Sequence, residues 1–240
     1  CPHDALSDRE YCAFHTHPDD LPAEIDEGEL FVKAINESSA SDGEVARRKK
    51  EFVGATFGPF NIEGATLDAG DDHSIRLDHA TFTSGICADR AVFEHGIFAR
   101  VVNFETSEQN VSDEINGGIT FFAAEFNGDG DLRFDFTEFN GDGDLRFDFT
   151  EFNGDSDLRF DSAEFNGDGR LSFSDAEFNG DGKLSFSKAK FSSDNNLLFS
   201  KVKFSSDRGV MFDGAKFIGD GDLWFHDAKF SGGSLSFYDA

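Results

Sequence analysis

Cysteine and histidine crowd the start of this chain, where Cys1, Cys12 and His15 form C-x10-C-x2-H with His3 and His17 close by. Thiolate sulfur and imidazole nitrogen are the ligands of tetrahedral zinc. A short, loop-rich stretch with little apolar surface gains its folded shape from holding such an ion. The expected Zn2+ ligands are Cys1, Cys12, His15 and His17, with His3 as the alternative fourth ligand. The competing reading is a surface Cys pair with scattered His. Cys87 stands alone and reads as an ordinary thiol.

A second set of candidate ligands recurs downstream in the segments NGDGD, NGDSD, NGDGR, NGDGK, SSDNN, SSDRG and IGDGD. Asp129, Asp155, Asp181 and Asp207 belong to one series, and Asp142, Asp168, Asp194 and Asp220 to another. Stacked carboxylates repel one another, and Ca2+ between them would relieve that. N-x-D-x-D resembles the opening of calcium loops, although the Gly at the sixth position and the closing Glu are absent. Alternatively, Gly and Asp stand there as turn formers. The YC-x-FH ending of the first segment likewise resembles small zinc-binding knuckles. No catalytic constellation emerges: His73, His79, His95 and His226 are isolated, and no Ser lies beside a base.

The elements that must position these residues are set by a repeat. One Phe returns every 13 residues from Phe126 to Phe230, and a second series with the same step runs from Phe134 to Phe225. Two residues before each member of the second series stands Leu, or Val at Val210. Fixed-period similarity marks an architecture in which each unit buries its apolar side against its neighbours. Thirty-one Phe among 240 residues fit a core stacked from one residue type.

Upstream the chain reads EFVG-ATFGP-FNIEG-ATLDA, with Phe52, Phe57, Ile62 and Leu67 spaced by five. Here the sequence resembles the pentapeptide-repeat family over residues 50–240. The resemblance implies an all-β, right-handed quadrilateral β-helix in which the central residue and the one two before it point inward. Four units make one coil. The 13-residue step then becomes two units and a three-residue insertion, so that two 13-residue repeats form a 26-residue coil in the C-terminal half. About seven coils are expected. Taking central residues in fours gives 52, 57, 62, 67; 77, 82, 88, 93; 98, 104, 121, 126; and onward to 237. Every insertion, including the loop Ser107 to Gly117, falls after the second or fourth unit, except one residue between Phe98 and Phe104. Faces two and four pair a small residue with Phe, and faces one and three pair Leu with Phe.

Residues 1–49 read as a Cys/His segment and a capping helix, with Leu30, Phe31, Ala34 and Ile35 at helical spacing, and residues 50–240 as the β-helix. The cap is expected to cover the first coil.

The net charge of −27 argues against direct nucleic-acid contact. It fits either a solvated acidic surface, as in a cell with a salt-rich interior, or a rod that imitates nucleic acid for a basic partner. Some pentapeptide-repeat proteins are acidic dimers that resemble B-form DNA and bind DNA gyrase, which the resemblance carries here only as an expectation. Residues 121–185 hold 17 acids and five bases, while residues 186–240 hold seven of each. No apolar run spans a bilayer and no signal sequence opens the chain, so it reads as soluble and cytoplasmic. Leu198, Met211 and Trp224 occupy outward positions and are candidate partner contacts. The last coil is open at SLSFYDA, where the chain either self-associates or continues. The expected role is a non-enzymatic scaffold or protein-interaction rod; a Ca2+-stabilised structural solenoid is the alternative.

Overall fold

The computed structural model describes residues 3, 5–6, 11–39, 48, 50–70, 74–104, 118–192, 194, 196–205 and 209–240. Each five-residue unit forms a strand only two residues long, such as Glu164–Phe165 or Leu171–Ser172. A strand that short is stable only because it pairs above and below. Glu164 N–H donates to Thr137 O at 2.9 Å, and Lys190 N–H donates to Ala163 O at 2.9 Å. The chain winds into a right-handed quadrilateral solenoid whose four sides are parallel sheets of seven strands each. Partners in the regular half lie 26 residues apart, as in Phe139↔Phe165 and Leu145↔Leu171. The 13-residue period is therefore half a coil.

The two corners without insertions are tight turns. Ala163 N–H returns to Phe160 O at 3.1 Å, and Ser162 between them has φ of 57°. The equivalent positions include Phe136 (57°), Phe149 (58°) and Lys188 (59°), a left-handed conformation that costs an L-residue roughly 1–2 kcal/mol. Burial on both sides of the turn holds these residues there.

One assignment from the sequence is corrected. Leu132 pairs with Ile97, so Phe134 stacks over Ala99 and not over Phe98. Ala99 is buried, whereas Phe98 faces outward between the guanidinium groups of Arg100 and Arg133, each 5.8 Å from its ring centre. Sequence favoured the larger apolar residue, but ladder register decides which side faces in. With Ala99 inward, the exception to the insertion rule disappears.

The interior is four columns of rings. On face one Phe134, Phe160, Phe186, Phe212 and Phe237 stack at 4.9–5.1 Å with planes within 9°. On face three Phe121, Phe147, Phe173, Phe199 and Phe225 do the same at 4.8–5.2 Å. Faces two and four hold columns from Phe57 to Phe217 and from Phe93 to Phe230. Ala163 and Ala176 lie beside Phe165 and Phe178, while Leu171 and Leu184 fill the wider sides. At roughly 1.5–3 kcal/mol for each buried Phe or Leu, these columns dominate stability.

Helix α1 (Glu27–Ser39) is longer than the apolar spacing predicts, starting where Asp26 Oδ1 accepts the Glu29 N–H at 3.0 Å. Its Phe31 packs on Phe52 at 4.5 Å and on Phe60 at 5.1 Å, and Ile35 is fully buried. Asn36 grips the first strand of face four by donating to Thr66 O and accepting from Asp68 N–H. At the other end Phe217, Phe230 and Phe237 are 40–42% exposed.

Candidate functional site

The Cys/His segment forms a plug over the first coil. Its 3-10 turn Ala13–His15 buries Phe14 edge-on against Phe52 at 4.8 Å. Cys12 Sγ lies 3.3 Å from His15 Nδ1, and His15 Nε2 lies 3.2 Å from Val53 O. One neutral tautomer serves both contacts, with the thiol donating to Nδ1 and Nε2–H donating to the carbonyl. Burial raises the Cys12 thiol pKa, which keeps it protonated. His17 Nδ1 accepts the Asp19 N–H at 3.4 Å, capping the 3-10 turn Pro18–Asp20. His3 stacks on Phe52 at 4.6 Å. Thus the fold brings Cys12 and His15 together, gives His17 and His3 other neighbours, and Cys1 lies outside the described residues. Among the described residues no three Cys, His, Asp or Glu side chains form a metal-holding group.

The Asp corners are ladders of another kind. Asp129 Oδ1 accepts the Asp155 N–H at 3.4 Å, and Asp155 Oδ1 accepts the Asp181 N–H at 3.0 Å. On the opposite corner Asp142 serves Asp168 at 3.1 Å and Asp194 serves Asp220 at 3.2 Å. Each carboxylate thus satisfies a corner amide one coil on, an amide that the sheets do not pair. Asn140, Asn166 and Asn127, Asn153, Asn179 form parallel amide ladders beside them at 2.9–3.0 Å.

A pattern that sequence reasoning missed lies on faces one and three. Arg76 with Asp78, Arg133 with Asp135, Arg146 with Asp148 and Arg159 with Asp161 pair two residues apart. The repeated L-R-F-D motif was its signal. Asp78 is almost fully buried and also takes Arg100 from the next coil, at 2.9 Å. Burial alone would push its carboxyl up, but Arg100 and Arg76 bring it down to about 2. Glu27 gave no sequence signal. Its Oε2 accepts the Gly58 N–H at 2.8 Å, its Oε1 is buried with no hydrogen-bond partner among the described residues, and burial raises its pKa to about 7. It borders an open groove of about 450 Å³ between the N-terminal segment and the first coil.

Leu198 and Trp224 are register neighbours on face three, and Met211 projects from face one. Trp224 is 52% exposed. Within the solenoid a cavity of about 30 Å³ lies between Phe104, Phe139 and Phe165, room for a single water. No helix among the described residues is long and apolar enough to cross a membrane. In comparisons with known proteins, no family model, no curated protein and no solved structure matches this chain.

Proposed function

We propose that this β-solenoid is a non-enzymatic scaffold of the pentapeptide-repeat type that engages protein partners through its outer rows. The supporting observation is that the ring columns fill the interior, so that the Glu, Lys, Asn and corner Asp rows stand on the outside of a rigid frame. Chemistry on such a body is recognition, repeated at the rung spacing of about 4.8 Å. The acidic coils of residues 121–185 suit a basic partner surface, and a DNA-handling protein such as gyrase is the concrete candidate. Leu198, Met211, Trp224 and the exposed aromatic rings of the last coil are the proposed apolar contacts, open to a partner or to self-association at that end.

The test is a gyrase supercoiling assay with added protein over a salt series. Inhibition or protection that fades with salt supports the acidic-mimic form of the proposal. No effect at any salt removes gyrase while leaving the scaffold reading to a pull-down comparing the native chain with Trp224→Ala. Zn2+ at the N-terminal segment remains a separate proposal, resting on the Cys12–His15 contact, and elemental analysis of chain with intact Cys1 decides it.

A further inference from the structure

Four consecutive rungs of face two carry Glu138, Glu164, Lys190 and Lys216 at the same outward position, one above another. They stand about 4.8 Å apart, so the row spans three steps, about 14 Å. Glu138, Glu164 and Lys216 are exposed and Lys190 is half-buried. Among the described residues only the central two form an ion pair, Lys190 Nζ to Glu164 Oε2 at 3.5 Å. Among the described residues Glu138 and Lys216 have no ion-pair partner, although Asn140 donates to Glu138 at 3.2 Å. The main contacts of the described N-terminal cap lie on the first coil: α1 packs on the first strands of faces three and four, and the turn at Ala13–His15 packs on the first strand of face two and on Phe52 and Val53.

The row is its own electrostatic complement when turned end over end. We infer that face two binds a second copy of this chain in antiparallel orientation, about a two-fold axis between the Glu164 and Lys190 rungs. Glu138 then meets the partner's Lys216, and Glu164 meets the partner's Lys190. The central pairs close a ring of alternating charge. A parallel arrangement in register sets like against like, and an antiparallel slip of one rung sets one Glu164 or one Lys190 against its own counterpart, so the charges select both orientation and register.

Face four carries Glu125, Glu151, Glu177, Lys203 and Lys229, switching sign at the same level. Its fifth member, Glu125, would find no cation opposite, which is why face two is assigned. The overlap is four rungs of one narrow side, well below the roughly 800 Å² per partner of a stable interface, so the dimer is weak. At an ionic strength of about 0.15 M the charge of the whole rod is screened beyond about 8 Å, while facing side chains in contact are not.

Sedimentation equilibrium of the full chain, loaded up to about 1 mM, reads the association directly. The native chain should dimerise, and Lys190→Glu with Lys216→Glu should weaken the dimer by about tenfold or more. Glu138→Lys with Glu164→Lys should do the same, and an equimolar mixture of the two variants should recover it. Lys203→Glu with Lys229→Glu, on face four, should leave it unchanged. Circular dichroism of every variant confirms the fold. A native chain that stays monomeric throughout, face-two variants that associate like the native chain, or loss of the dimer in the face-four variant would each overturn the assignment. None of these outcomes bears on gyrase, whose assay stands apart.

Discussion

Glu27 is a carboxyl held where charge is disfavoured, with Gly58 N–H on one oxygen and, among the described residues, no hydrogen-bond donor on the other. Its pKa in the folded chain is about 7 against 4.5 when exposed, so the folded state keeps a proton that the unfolded state has lost. Its stabilising effect is complete below pH 4.5 and is lost as pH rises through 7, on the order of 3 kcal/mol. The difference in thermal midpoint between the native chain and Glu27→Gln should therefore change by several degrees from pH 5 to pH 8, with the native chain losing ground. A constant difference would show that Glu27 is ionised in the fold. Asp78 works in the opposite direction: its arginine partners favour the charged form, so its contribution is present above pH 4 and lost as pH falls towards 2.

At the scale of the corner and the rung, the same residue type has opposite value in different places. Phe173 is fully buried in the face-three column, and Phe173→Ala should cost about 3–5 kcal/mol in denaturant unfolding. Phe136 is 62% exposed and held at φ 57°; Phe136→Gly should be neutral or stabilise by up to about 1 kcal/mol, because glycine adopts that conformation freely. A Phe136→Gly variant that loses 2 kcal/mol or more would mean the exposed ring packs on something. The Asp corners serve amides directly, so Ca2+ or a chelator should leave the melting midpoint unchanged; a clear rise with Ca2+ would instead favour the cation-stabilised reading.

Across the whole molecule, each coil touches only its neighbours, so stability runs along the rod. The first coil is roofed by Phe14, Phe31 and Ile35, while the last leaves Phe217, Phe230 and Phe237 partly open. Hydrogen exchange should accordingly grade from slow amides around residues 158–199 to fast ones at 223–240. Equal protection at both places would indicate that the open end is covered in solution. Charge follows the same axis, from acidic coils to the balanced section after residue 186, which fixes which end of the rod a basic surface prefers.

The pairing of small residues with Phe on two sides and Leu with Phe on the others was legible in the chain because it is a local rule repeated, and repetition averages out the accidents that mislead single-sequence reading. The four-sided coil followed from the resemblance of the five-residue units to a known family, and the helix from one stretch of apolar spacing. What repetition could not supply was register where the repeat decays. At Phe98–Ala99 the apolar preference and the hydrogen-bond ladder disagree, and the ladder places Ala99 inside. The candidate sites show the same division. Sequence located the Asp and Cys/His groups by type and spacing, since ligand chemistry follows from composition. Only the tertiary structure decided their neighbours: Asp carboxylates met by amides from the next coil, Cys12 beside His15, and Glu27 shut against Gly58. Those contacts join residues through folding distance and burial, quantities that sequence spacing does not contain.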